Sequence, residues 1–234
     1  MHYYPAFLDL HDRLTVVVGG GQVAGRKVAS LLEAGARVRL VAPQLHPHTA
    51  ALLPHPLVEH LARPFAPMDL EGAWLVVSAT NIEDLNRAVA AQAEKQRVFV
   101  NVVDVPEHCS FIVPASLRRG ELCLAVSTAG AGPAVARRLR EGLEGQFGPE
   151  WADYLSLMRA ARQWVKDQGR PAEMNRPLFF ALADSDLLAL IKANDLAGVD
   201  ELLGRILGPG CNLAGLGWSP GQTNNSPTAP EPAP

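Results

Sequence analysis

Cysteine is scarce in this chain. Cys109, Cys123 and Cys211 are the only three in 234 residues, an odd and sparse set that excludes a disulfide framework and suits a reducing cytoplasm. No stretch approaches the roughly 20 consecutive apolar residues a membrane span needs. The opening MHYYPAFLDLHDR carries acids and lacks the basic-then-apolar order of a signal sequence. Neither sign of charge dominates: 21 Lys and Arg against 24 Asp and Glu leave a net charge of −3, which removes the overall electrostatic case for nucleic acid. Ligand spacing is missing as well. His46 and His48 flank Pro47 in an expected loop, His55 and His60 lack cysteine or acid companions, and His108 with Cys109 reads as a packed or exposed pair, so no metal site is expected. No Ser-His-Asp or Cys-His nucleophile arrangement is legible. These absences predict a soluble cytoplasmic protein with no membrane or nucleic-acid partner.

What is present is a chain 48% hydrophobic, enough for a real core. Through the first half, apolar β-branched runs alternate with helical patterns. Strands are expected over 14–18, 37–42, 57–64, 73–80 and 97–103, with helices over 22–34 and 82–95. Continuous apolar strands between helices imply a parallel sheet covered on both faces. The fold class is therefore α/β, a doubly wound domain over 1–113. After Pro114 the style changes: ASLRRGELCLAVST predicts a hairpin around Arg119–Gly120, and Pro133 opens a helix. These make a small segment over 114–149. A helical domain is expected over 150–208, then a disordered Pro-rich tail over 209–234 that cannot form a core.

TVVVGGGQVAGRKVASLLEAG sets a strand against a glycine turn and a helix. Gly19, Gly21 and Ala24 fit G-x-G-x-x-[GA]: a tight turn, a close backbone approach to a pyrophosphate, and a helix held close to its strand. The helix N-terminus then offers free N–H groups to phosphate. This is a Rossmann-like dinucleotide site, although glycine turns also serve packing alone. The second strand ends RLVAPQ with no acid for the ribose; Gln44 is the candidate there, and an outward Arg39 would favour a phosphate. Local chemistry leaves NAD and NADP both open. Thr80 and Asn81, ending the next strand, are expected over the cofactor at the carboxyl edge, or capping the following helix.

In NVVDVPEHCSFIVPA, Asp104 stands between apolar runs at the carboxyl end of the fifth strand, where open α/β sheets bind ligands. An aspartate enclosed by apolar residues has a raised pKa and improves as a base. The plainer reading is a cap on the turn before Pro106.

Taken together, YPAFLDLHDRLTVVVGGGQVAGRKVASLLEAGARVRLVAP, VSAT, NVVDVPEHCSFIVPAS and AVSTAGAGPAVARRLRE, in that order from Tyr4 to Arg140, resemble the siroheme synthase N-terminal family. The resemblance implies NAD-dependent oxidation of precorrin-2, a tetrapyrrole, to sirohydrochlorin. Some members also insert Fe2+ as ferrochelatases, and one aspartate serves both steps. It implies a homodimer through the middle segment, a helical part beside the tetrapyrrole cleft, Asp104 as the catalytic residue, and Gln22, Val23, Pro43 and Gln44 at dinucleotide-contacting positions. Members with a methyltransferase domain carry it after this region; here the Pro-rich end predicts that the methylation step is absent. Precorrin-2 bears eight carboxylates, so Arg137 and Arg138, with Arg118, Arg119 and Arg140, are candidate partners, as are the hydroxyls of Ser127 and Thr128. Rival readings are a bifunctional enzyme that is both dehydrogenase and ferrochelatase, a chelatase alone, and a regulatory domain that senses NAD(H) without turnover.

Overall fold

The computed structural model describes residues 3–221. They form two bodies, one running to Val113 and the other starting at Pro114.

The first body is built on β1 (Leu14–Val18), α1 (Gln22–Glu33), β2 (Arg37–Val41), α2 (Pro47–Ala50), β3 (Val58–Leu61), β4 (Leu75–Ser78), α3 (Glu83–Gln96) and β5 (Phe99–Val102). All five strands pair in parallel in the order β3-β2-β1-β4-β5. The doubly wound α/β reading holds. Because β-strand side chains alternate, VVV in β1 feeds both faces at once. Val17, Leu40, Val38 and Val77 pack with Ala24 and Val28 of α1 on one side; Val16, Val18, Val76, Val100 and Val102 pack with Val89 and Ala93 of α3 on the other. Burial on both faces explains why these strands read as unbroken apolar runs. The chain reverses its winding between β1 and β4, which places a crevice at their carboxyl ends.

Two expectations change here. His48 does not lie in a loop but in α2, where Pro47 supplies the first turn and the His46 ring accepts the His48 N–H at 3.2 Å. The third strand is shorter than its apolar pattern, because Arg63 turns to hold Asp69 instead of continuing the ladder.

The second body opens with an antiparallel hairpin, β6 (Ala115–Arg119) and β7 (Leu122–Val126), and α4 (Pro133–Gln146). Five helices follow: α5 (Glu150–Asp167), α6 (Ala172–Ala183), α7 (Leu187–Lys192), α8 (Leu196–Leu207) and α9 (Leu213–Leu216). Tyr154, Leu157, Ala161 and Val165 make a continuous buried stripe on α5, and Leu182, Leu187, Val199, Leu203 and Leu207 close over it. The expected start of a disordered tail at 209 is wrong as far as Gly221. Cys211, Leu213 and Trp218 are buried in this core, and Trp218 Nε1 donates to Ser156 Oγ at 2.6 Å. Glycine and proline in GPGCNLAGLGWSP shape turns around three apolar anchors. The remainder, 222–234, lies outside the described residues.

Candidate active site

Four loops meet at the carboxyl edge of the sheet. Gly19 takes φ +122, a conformation that L side chains rarely adopt, and its N–H donates to Val41 O at 3.0 Å. A Cβ at Gly19 would stand 2.2 Å from Ala79 O, so the turn leaving β1 rests directly on the loop leaving β4. A Cβ at Gly21 would meet nothing within 4 Å. The two glycines therefore do different work: the first lets two loops touch, and the second leaves open space beside the start of α1. That helix begins without a side-chain cap and without an acid in its first turn, so its leading N–H groups and positive end are free for an anion. Gln22 is exposed and Val23 half-buried at this end. The arrangement fits a dinucleotide pyrophosphate.

The ribose end is also defined. Pro43 and Gln44 are exposed beyond β2. Arg39 is spoken for: Nε donates to Glu59 Oε2 at 2.7 Å and Nη1 to Asp69 O at 3.0 Å. Arg39, the β2 cation nearer the carboxyl end of the strand, is thus held by other partners rather than left for a 2′-phosphate.

At the end of β4, Thr80 Oγ1 accepts the Ile82 N–H at 3.1 Å, so it shapes the turn into α3, whose N-cap, Ile82, has no side-chain cap; Asn81 is exposed beside it. The buried Asn86 went unremarked in the sequence. It donates to Thr80 O at 3.0 Å and accepts from Ser78 Oγ at 2.7 Å, pinning this loop from below. Its signal was its spacing, since Asn86, Val89 and Ala93 share one face of α3.

Asp104 follows β5, and the enclosure expected of it is absent. The residue is exposed, with φ +62. Val102 closes the strand and points into the core, Val103 N–H donates to Ser78 O at 3.0 Å, and the left-handed residue then swings its carboxylate out. Asp is among the few residues that tolerate this conformation. The loop that carries it is anchored by sulfur: Cys109 Sγ accepts the Val102 N–H at 3.2 Å and lies 3.2 and 3.3 Å from the carbonyls of Val102 and Val105. Burial pushes the Cys109 thiol up, the hydrogen bond from Val102 opposes this, and Glu107 adds to the rise. Cys109 is thus a neutral thiol held by backbone groups. Lys27, half-buried on α1, is pushed below the ordinary lysine value by burial and by Arg26, with Asp104 opposing.

In the second body, Ser127 Oγ accepts the Ala129 N–H at 3.1 Å and Thr128 Oγ1 the Gly132 N–H at 3.2 Å. Both hydroxyls keep their O–H to donate. Arg138 is exposed, and Arg137 is exposed with Nε on Glu141 at 2.9 Å. Two arginines of the cationic set are structural: Arg119 Nε caps the end of α4 through Phe147 O at 3.1 Å, and Arg140 pairs with Glu144.

Parts of both bodies match known families. Residues 6–115 match a family model described as "Putative NAD(P)-binding", and residues 119–146 match the sirohaem biosynthesis protein central model. The siroheme synthase of Methylobacillus flagellatus is 41% identical over 176 residues, covering 75% of this chain and 38% of that protein. That of Thioalkalivibrio sulfidiphilus is 37% identical over 217 residues, 93% of this chain and 44% of that protein. The chain belongs to the siroheme synthase N-terminal family. It spans less than half the length of these two relatives. A solved structure titled "SirC, precorrin-2 dehydrogenase" superposes with a TM-score of 0.72 over 85% of this chain and all of that one, at 24% identity, and shares its fold.

Proposed function

We propose that this siroheme synthase relative oxidises precorrin-2 to sirohydrochlorin with NAD, using Asp104 as the general base. The observation that carries the proposal is the shared carboxyl edge: an open glycine cradle at the end of β1 and an exposed carboxylate at the end of β5, on strands separated only by β4. The backbone at Gly19, Gly21, Gln22 and Val23 would hold the pyrophosphate, Pro43 and Gln44 the ribose end, and Thr80 and Asn81 the part above β4. NAD is favoured over NADP because Arg39 is occupied by Glu59 and Asp69 O.

Forming sirohydrochlorin removes one hydride and one proton from the macrocycle. When bound, the nicotinamide supplies the hydride acceptor. Asp104 takes the proton; its exposure leaves both carboxylate oxygens accessible to the macrocycle, and the Cys109 anchor keeps the loop in place. Ser127, Thr128, Arg137 and Arg138 are the proposed partners of the substrate's carboxylates. A homodimer formed through the middle segment belongs to the same reading: the hairpin has only two strands, and α4 exposes Val135 and Leu139 one turn apart.

The test mixes the protein with enzymatically generated precorrin-2 and NAD, anaerobically and without metal, following NADH and the macrocycle spectrum together. Matched formation of NADH and sirohydrochlorin is expected, with Asp104→Asn slower by about 10²–10⁴-fold. NAD binding without turnover would sink the enzyme reading and support a sensor. Ferrous iron added after oxidation asks whether Asp104 also takes the pyrrole N–H protons in metal insertion.

A further inference from the structure

Lys27 stands one turn past Val23 on α1, half-buried, and its ammonium is in no ion pair among the described residues. Its direction follows from the helix. Ala24, Gly25 and Val28 make the buried face of α1. Gly25 marks one edge of that face: a Cβ there would stand 2.6 Å from Thr49 Oγ1 and 3.4 Å from His48 Cδ2, both on α2. Lys27 follows Gly25 by two residues, so it lies about 160° round the helix, on the opposite edge. That edge looks away from α2 and toward the loops leaving β4 and β5, whose Ala79 and Val103 pack on the same cluster as Ala24 and Val28. Helix side chains lean toward the N-terminus, which carries Lys27 back over the Val23 turn, at the carboxyl edge of the sheet.

Charge agrees with this placement. Burial and Arg26 oppose the ammonium, and the acid that supports it is Asp104. A stem packed on the helix with a cationic head partly drawn out of water is unfavourable unless the head meets an anion. Asp104 itself is exposed at this edge, so a polycarboxylate approaching it meets a like charge. A cation beside the base offsets that repulsion and gives an approaching acid a partner.

We infer that Lys27 is a specificity-determining residue: its ammonium pairs with an acid side chain of the macrocycle while the ring presents its proton to Asp104. The inference rests on the precorrin-2 reading above. Ser127, Thr128, Arg137 and Arg138, the partners already proposed for the substrate's acids, belong to the second body. Lys27 sets an acid contact on the same body as Asp104, so it fixes the ring relative to the base directly.

The experiment titrates metal-free sirohydrochlorin into the full chain, anaerobically, and follows its fluorescence, so that binding is read without turnover. Lys27→Met keeps the stem and loses the charge, and should weaken binding by about tenfold or more. Lys27→Gln should lose as much, which guards against a packing effect peculiar to Met, and thermal melts of both should match wild type. Lys27→Arg keeps the charge and should bind close to wild type. NAD affinity, by calorimetry, should be unchanged in all three. In turnover, Lys27→Met should raise the KM for precorrin-2 and leave that for NAD in place, a split that a merely structural residue would not give. The loss on Lys27→Met should persist in an Asp104→Asn background; its disappearance there would make Lys27 a partner of Asp104 alone and overturn the inference. Equal sirohydrochlorin affinity in wild type and Lys27→Met would also overturn it, as would a parallel loss of NAD, which would make Lys27 a dinucleotide contact. Lys27-dependent binding of sirohydrochlorin without NADH formation would count against the dehydrogenase reading alone.

Discussion

Gly19 and Gly21 are two residues apart and are expected to fail in different ways. A methyl at Gly19 collides with Ala79 O and needs a positive φ, so Gly19→Ala should lower stability and abolish NAD binding together. A side chain at Gly21 enters open space, so Gly21→Val should melt like the wild type and yet raise the KM for NAD by about tenfold or more, because it occupies the approach to the helix N-terminus. Thermal melts run beside NAD titrations separate the two. Asp104→Asn is similarly clean, since Asn tolerates the left-handed conformation as well as Asp does. Asp69 offers a stability test. Its carboxyl is 2% exposed; burial pushes its pKa up, but hydrogen bonds from Arg63 and the Ala66 N–H, with the charges of Arg63 and Arg39, outweigh burial and hold it below the ordinary 3.8. A depressed folded value means that the stabilisation is complete above pH 3.8 and disappears as pH falls through the folded pKa. Asp69→Asn should cost about 1–3 kcal/mol at neutral pH, and its gap from wild type in thermal melts should close in acid.

Among the elements, α9 is the one most at odds with its composition. GPGCNLAGLGWSP has the residues of a linker, yet Leu213 N–H donates to Asp200 Oδ1 at 2.6 Å and Gly221 N–H to Asp153 Oδ1 at 2.9 Å. Together with Trp218 on Ser156, these bonds tie the segment to α5 and α8. Truncation after Gly210 should therefore destabilise the helical body, and Trp218→Ala alone should cost about 3–5 kcal/mol by chemical denaturation. Trp218→Phe keeps most of the packing and loses only the N–H donor, for about 1 kcal/mol. Equal midpoints for wild type and Trp218→Ala would show that the segment is not part of this core. The hairpin is held in a comparable way: Arg159 of α5 pairs with Glu121, and a Cβ at Gly120 would stand 3.1 Å from Ala152 Cβ.

For the whole molecule, the proposed dimer gives the sharpest test. A two-stranded sheet with both edges open is marginal alone, and Leu139 is 52% exposed on α4 beside Val135. Leu139→Glu should shift the protein from dimer to monomer in sedimentation at micromolar concentration. A monomeric wild type would count against the homodimer.

The sequence by itself determined the sheet and its cradle. Strand runs, helix stripes and glycine spacing are local patterns, and a parallel sheet buried on both faces writes itself as unbroken valine and leucine. It also placed Asp104 at a strand end, because the strand and the Pro106 turn are neighbours in the chain. Only the tertiary structure decided what each polar group does there. Asp104 turned out exposed although its sequence neighbours are apolar, since a single left-handed residue reverses its direction. Arg39 is taken by Glu59 and Asp69, 20 and 30 residues away, and Trp218 finds Ser156 across 62. Such pairings depend on which surfaces the folded core brings together, and hydrogen bonds and charges act over a few ångströms that no spacing along the chain encodes.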